Sequence, residues 1–508
     1  MGLPGKTGSY PVIFIYTSYG AKKYMELIQM VTADDPMFGH EARTIFGYVC
    51  ADVRGRNENA FEPYPGRSVV GSDGADIVNW IAAQPWSNRK IGMWGSSSDG
   101  INQYSTAAEC PPALTAIAPC VARLVDNYAH YYPGGVLEEA YVTLLDEAWP
   151  GSWQRVTQHP RPNSYWQEMN DTQDIPALKI DVPVLLISGW WDHNVDFSFH
   201  AYKHLKEHSA RCQYATLVVG PWSHYYIGRL NQGHKAYPAA ENINKIYGRR
   251  FFDYWLREKQ NGFYDEGSVY YFQLGDDAWV NSLNWPPPVV KEEKYYLQAS
   301  GVLSGTQPGK SESDRYTHDP QNPSPSIGGP VAGPSSKFPN IIAGPAYQDE
   351  VIAGRNDYLI YDTGPLAREL KVVGAPVFKA YLQCDRPDAD IAIRLCDYDP
   401  ETGKTLLVMP GIKRLRYRSS WTEPSWMEPG EIYSVAVEID PIAYTWKKGH
   451  RLRLLVTSSI YPLYAVNPGN KNDFVWEDGA PQTATINVYH DSSHPSCLVL
   501  PAQMQVGL

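Results

Sequence analysis

The sequence predicts an α/β protein in two parts: a parallel sheet layered with helices over the first half, then an antiparallel β-sandwich. Three observations predict it. The runs "PVIFIYT" (11–17), "TIFGYVCADV" (44–53), "KIGMWG" (90–95), "LTAIAPCV" (114–121), "VPVLLISGW" (182–190) and "YATLVVGPW" (214–222) are short and nearly all apolar, as strands covered on both faces must be. Helical patterns separate them: "SDGADIVNWIAAQP" (72–85) carries Ile77, Val78, Trp80 and Ile81 and stops at Pro85, and "SFHAYKHLKEH" (198–208) bridges the last two runs. Beyond about residue 258 the period falls to two, in segments such as "PVFKAYLQCD" (376–385), "DIAIRLCDYD" (390–399) and "HRLRLLVTSS" (450–459), with Pro, Gly, Asn and Asp turns between them.

One interval departs from the strand–helix alternation. Residues 122–181 contain no strand-like run but include "GVLEEAYVTLLDEAW" (135–149) and "SYWQEMNDTQDIPALK" (164–179), which suits a helical cap over the carboxyl edge of the sheet. The expected division is therefore a sheet domain over 1–121 and 182–258, a cap over 122–181 and a β-sandwich over 259–508. The Pro/Gly/Ser-rich stretch 318–339 has little to bury and is expected as a surface loop.

A formal charge of −11 with no basic block excludes nucleic acid and anionic membrane as partners and leaves a small neutral or weakly charged molecule. A homo-oligomer remains open. The seven cysteines show neither a CxxC nor a Cys/His metal spacing, and no cofactor or metal is expected. His200, His204 and His208 recur at helical spacing without an acidic or Cys third ligand, which suits a solvated face. "DRPDAD" (385–390) reads as an Asp-rich turn. The opening "MGLPGKTGSYP" lacks the apolar centre of a signal peptide, and Lys6 breaks the myristoylation pattern, so the cytoplasm is the expected compartment.

The chemistry starts at "GMWGSSSDG" (92–100). A strand that ends at Gly95 and turns at once into a helix needs a tight bend, and Gly95 and Gly100 remove the Cβ atoms that would collide there. Ser97 is at the apex, as in the nucleophile elbow of α/β-hydrolases, here spaced G-x-S-x-x-G. Ser98 would offer its backbone N–H to an oxyanion. A serine hydroxyl needs a histidine to take its proton, and the histidine needs a carboxylate to hold its tautomer. Asp192 in "GWWDHNV" follows one strand and His224 in "GPWSHYY" follows the next, in the chain order Ser, Asp, His; Asp196 and His193 are their rivals. Tyr19, after the first strand, is either a second oxyanion donor or a packed aromatic. Trp190, Trp191 and Trp222 flank the acid and base and are candidates for lining a substrate pocket, with buried packing as the alternative.

These motifs, with the tail "GHRLRLLVTSSIYP…HDSSHPSCLVLP", make the chain resemble the family of cocaine esterase, α-amino acid ester hydrolases and X-Pro dipeptidyl-peptidases over nearly its whole length. The resemblance implies an α/β-hydrolase domain, a helical cap and a carboxyl-terminal jelly roll. It also implies Ser97 as nucleophile, Asp192 as acid, His224 as base, and an oxyanion hole made by the Tyr19 hydroxyl and the Ser98 amide. Three features depart from that pattern: the chain starts late relative to its relatives, Ser98 stands where Tyr is usual, and the cap is short, which implies a more exposed site. The expected activity is hydrolysis of carboxylic esters by a serine acyl-enzyme route. The alternatives are an amidase or dipeptidyl-peptidase and, from another class, an inert carbohydrate- or polymer-binding protein. Members that accept α-amino acid esters carry acids close behind the catalytic Asp, whereas here His193, Asn194 and Val195 follow Asp192, so neutral acyl groups are expected unless Glu138, Glu139 or Asp146 supplies the charge.

Overall fold

A computed structural model describes residues 1–5, 7–57, 66–173, 177–288, 290–309 and 313–503. Strands β1 (Tyr10–Thr17), β2 (Gly47–Asp52), β3 (Ser87–Ser96), β4 (Leu114–Cys120), β5 (Val184–Trp191) and β6 (Ala215–Ser223) form where the apolar runs predicted them. With β7 (Val269–Gln273) and β8 (Ala278–Ser282) they make one sheet in the order β8-β7-β6-β5-β4-β3-β1-β2. All its pairs are parallel except β7 with β8. Registers such as Thr17 beside Asp52, Ser96 beside Cys120 and Trp191 beside Ser223 bring the carboxyl ends of β1, β3, β5 and β6 to a common edge. Tyr19, Ser97, Ser98, Asp192 and His224 lie one or two positions beyond those ends.

The sheet does not close at residue 258, where the sequence pattern changes. Helix Ile243–Arg257 crosses back and β7 pairs in parallel with β6. The edge strand β8 is exposed to half-buried along its length, while β7 between it and β6 is mostly buried.

Residues 122–181 hold no strand among the described residues. They form helices Tyr128–Tyr131, Glu139–Ala148, Ser152–Thr157 and Ser164–Gln173, around a small core of Tyr131, Tyr132, Tyr141 and Trp166 that Phe474 of the second domain completes. Residues 174–176 of the predicted helical stretch lie outside the described residues.

The second domain is a 13-stranded β assembly in which Asp390–Asp399 pairs antiparallel with both Lys404–Arg414 and Arg451–Thr457. It is not an appendage: one apolar cluster runs from Val12 through Trp191 to Leu454, and the Trp191 indole N–H donates to the Val408 carbonyl at 2.9 Å. Two expectations change here. The stretch 318–339 is irregular but not merely superficial, since Ser324, Val331 and Ala332 are buried and Lys337 pairs with Glu139 of the cap at 2.9 Å. Small residues, and a prolyl backbone with fewer donors, let a loop without periodicity pack closely. The acids of "DRPDAD" do not all sit in a solvated turn: Asp388 and Asp390 are buried against Arg416 and Arg414 at 2.7 and 2.9 Å. Their charges are matched by arginine forks, which the local sequence did not reveal.

Candidate active site

Strand β3 ends at Ser96, and helix Ser98–Ala107 begins two residues later. Between them Ser97 adopts φ 58° and ψ −122°, a conformation that a non-glycine residue keeps only when its surroundings enforce it. Those surroundings are identifiable. The Ser97 N–H donates to the Cys120 carbonyl at 2.9 Å, and the Ser97 carbonyl accepts from Gly100 and Ile101 at 2.9 and 3.0 Å. A Cβ at Gly95 would come within 2.6 Å of Asp99 Cβ, and one at Gly100 within 2.5 Å of Ala122 Cβ, so both flanking glycines are required by close approach.

Asp192 follows β5 and is fully buried, and its Oδ1 accepts from the Asn194 amide at 3.1 Å and pairs with His224 Nδ1 at 2.8 Å. With Nδ1 turned to the acid, Nε2 is the nitrogen left for a serine proton. The rivals separate. Asp196 points away and pairs with His200 at 3.3 Å, its side chain 47% exposed. The His193 ring lies edge-on to His224 at 4.7 Å, and its nearest carboxylate oxygen, on Glu138, is 3.9 Å away. Burial holds both His193 and His130 well below the usual histidine range, so the rings around His224 are neutral. His200, His204 and His208 lie exposed along helix Val195–His208.

Tyr19 and the Ser98 amide meet: the amide N–H points at the Tyr19 hydroxyl at 3.3 Å. Partial desolvation, and then the charge of Asp99, raise the phenol above its ordinary value although Tyr19 is 36% exposed, so it keeps its proton across the neutral range. The cap reaches this point through Trp149, whose ring meets that of Tyr19 at 6.1 Å.

The loop that carries Tyr19 is held by a residue absent from the sequence reading. Asp99 is fully buried, and its Oδ1 accepts the Ser18 amide at 2.9 Å, while Ser18 Oγ meets Ser98 Oγ at 3.0 Å. The elbow and the Tyr19 loop are thus joined directly behind the candidate oxyanion hole. The only sequence signal was an acid two places after Ser97 in a helix that is otherwise buried along its length. Burial pushes the Asp99 carboxyl up to about 7 against the opposing effect of the Ser18 amide. The unfolded value is about 3.9, so between the two pH values the native state holds the extra proton. Stability should therefore fall as pH rises through that window and level off above it. Thermal midpoints measured between pH 4 and 8 should show this slope in the wild type and a shallower one in Asp99→Asn, since other raised carboxyls such as Asp440 remain; an equal slope in both would place the titration elsewhere.

The three tryptophans are packed inside the fold. Trp190, Trp191 and Trp222 are each fully buried. Consecutive strand residues face opposite sides of the sheet, so Trp190 packs on Phe199 and Trp285 while Trp191 meets Tyr237 and the second domain. Trp222 lies against Trp279 of β8. Their position beside the acid and base reflects domain packing.

A parallel sheet with a strained serine elbow at its carboxyl edge, a buried Asp–His pair two strands away, a helical cap and a fused β domain define an α/β-hydrolase with a C-terminal β-rich domain. Comparison with known proteins refines that class. Residues 2–147 and 138–226 match the X-Pro dipeptidyl-peptidase (S15 family) model, and residues 261–499 match the X-Pro dipeptidyl-peptidase C-terminal non-catalytic domain. The chain belongs to this family, with both of its domains present. It is 28% identical to the cocaine esterase of Rhodococcus sp. (strain MB1 Bresler), over 90% of this chain and 88% of that protein. Among solved structures, an aminopeptidase from a marine sediment Thaumarchaeota archaeon superimposes with a TM-score of 0.84 at 22% identity, covering 99% of this chain and 93% of that one. An α-amino acid ester hydrolase superimposes with a TM-score of 0.81 at 24% identity, covering 98% and 93%. At these identities the two structures establish the fold alone. Among the described residues, no helix is long and apolar enough to cross a membrane.

Proposed function

We propose that the protein hydrolyses carboxylic esters of small molecules through an acyl-enzyme on Ser97. The observation that carries this reading is the convergence on one sheet edge of the strained Ser97, the Asp192–His224 pair at 2.8 Å and the paired donors Tyr19 and Ser98. Ser97 Oγ attacks the ester carbonyl as His224 Nε2 takes its proton, with Asp192 stabilising the imidazolium. The oxyanion accepts from the Tyr19 hydroxyl and the Ser98 N–H, which exchange their mutual contact for the ligand. The tetrahedral species collapses, and His224 returns the proton to the departing alcohol. Water, activated by the same histidine, then releases the acid and restores Ser97.

Neutral acyl groups suit this site. Of the carboxylates that could serve an α-ammonium, Asp196 is turned to His200, Glu139 is tied to Lys337 at 2.9 Å, Asp146 accepts the Trp153 amide at 2.9 Å, and Glu138 faces a separate cavity that Ser97, Tyr19 and His224 do not line. The test is a panel of p-nitrophenyl esters against aminoacyl-p-nitroanilides, with a fluorophosphonate label read by mass spectrometry. Faster turnover of the esters and a label on Ser97 are expected. Preferential cleavage of the anilides would make the chain a peptidase, and no label would leave it a binding protein.

Tyr19→Phe should lower kcat by roughly 10²- to 10³-fold with little change in KM, because the lost donor acts only once the oxyanion forms. An unchanged kcat would return Tyr19 to packing against Trp149.

A further inference from the structure

A cavity of about 580 Å³ opens between helix Val195–His208, the cap segment around Glu138 and the second domain. Ser97, Tyr19 and His224 are not among its lining residues, so it is not the compartment of the reacting ester. Phe197, Val377, Ile412, Ile439 and Tyr464 give it apolar walls. Glu138 and Asp440 give it acid.

The Glu138 side chain is anomalous. The residue is 4% exposed, it lines this cavity, and no hydrogen bond reaches its carboxyl among the described residues; His193 Nδ1, 3.9 Å away, is itself unbonded. Asp440 lines the same space with no side-chain hydrogen bond among the described residues. A buried carboxylate without a partner is costly and normally acquires one. The charges facing the pair do not supply it. Asp192 and Asp196 add like charge, and Glu438 lines the same cavity; His200 is paired with Asp196 at 3.3 Å, and Arg123 opposes Glu138 but is paired with Asp126 at 3.2 Å. On the second domain, Lys413 sits over the Trp421 ring at 3.6 Å, and Arg418 lies over Tyr433 at 4.0 Å while donating to the Leu415 carbonyl at 3.1 Å. His130 and His193 are held neutral by burial. Burial, then like charge, accordingly pushes both carboxyls up, Asp440 to about 7.

We propose that this cavity binds a small organic cation, a protonated amine on an apolar body, with its ammonium directed to Glu138 and Asp440. A chelated metal fits less well: among the described residues, the one group of three His, Cys, Asp or Glu close enough to share an ion is Asp192, His193 and His224. An ammonium needs no such convergence, and the apolar walls suit a hydrocarbon body. His193 lines this cavity and also packs on His224, so an occupant would lie directly behind the catalytic base.

The test is calorimetric binding of 2-phenylethylamine to the full chain, with 2-phenylethanol as the neutral isostere. Binding needs no turnover, so its outcome is independent of whether esters are hydrolysed. Saturable binding of the amine, at least about tenfold tighter than of the alcohol, is expected, and Glu138→Gln and Asp440→Asn should each weaken it by about tenfold or more. Affinity should rise between pH 6 and 8 with protons released to the buffer, because the cation binds the ionised carboxyls. If one variant does not fold, the other and the amine-to-alcohol comparison still decide. Equal binding of the alcohol, no saturable binding, or affinity untouched by either substitution would overturn the proposal.

Discussion

Replacing Ser97 by alanine should leave the fold intact and reduce ester turnover by about 10⁴-fold or more, while Ser96→Ala and Ser98→Ala stay near wild type. Three adjacent hydroxyls make this a sharp comparison, because only one occupies the strained apex. Ser96 is the last residue of β3, and Ser98 is the first of the following helix, where its proposed contribution is a backbone N–H that alanine retains. The Ser98 hydroxyl does meet Ser18 Oγ at 3.0 Å, yet Asp99 holds the same loop at the Ser18 amide. Removing the serine oxygen deletes the acyl-enzyme route and leaves only what binding and the oxyanion donors provide. Alanine keeps the backbone hydrogen bonds that hold the positive φ, and the circular dichroism spectrum and thermal midpoint check that the fold is intact. The measurement is kcat on a p-nitrophenyl ester, together with mass spectrometry of the fluorophosphonate adduct. An adduct on another serine, or a Ser97→Ala protein with near-normal kcat, would refute the assignment.

The second large effect is expected at the acid. Asp192→Asn should lower kcat by about 10⁴-fold with a much smaller change in KM. The asparagine amide can present its N–H₂ to His224 Nδ1, which then has to accept, and the imidazole proton moves to Nε2. In that tautomer the ring cannot take the proton from Ser97. The 2.8 Å contact and complete burial of Asp192 make the substitution mainly a change of hydrogen-bond polarity, with loss of the Asn194 amide bond to the same oxygen. Activity should partly recover at high pH, where hydroxide assists deprotonation, and this distinguishes a wrong tautomer from a damaged fold. His224→Gln should be inactive throughout. A near-normal Asp192→Asn enzyme would move the role to Asp196, despite its exposure and its pairing with His200.

The strands of the first sheet, the helical interval and the positions of Ser97, Asp192 and His224 were legible because each leaves a local mark. A strand covered on both faces must be a continuous apolar run; a tight strand-to-helix bend must be relieved by glycine; and residues just past successive strand ends share one edge in a parallel sheet. Strands β7 and β8 were not legible as part of this sheet, because two five-residue strands joined as an antiparallel pair carry the same local signal whether they extend a parallel sheet or begin an antiparallel domain. The loop 318–339 was misread for a related reason: composition reports how much a segment has to bury, not how closely its backbone can approach a neighbour.

The sequence by itself determined the α/β class, the tight bend at Ser97 and the places of Asp192 and His224 just past successive strands, since these follow from interactions spanning a few residues. Tertiary structure decided the rest. It brought Asp192 within 2.8 Å of His224 while turning Asp196 to His200, and it joined Asp99 to the Tyr19 loop across 81 positions of chain. It also placed Trp191 against Val408, 217 positions away, as domain packing instead of pocket wall. Which atoms lie together across such separations depends on strand order and domain closure, and short-range periodicity carries no record of either.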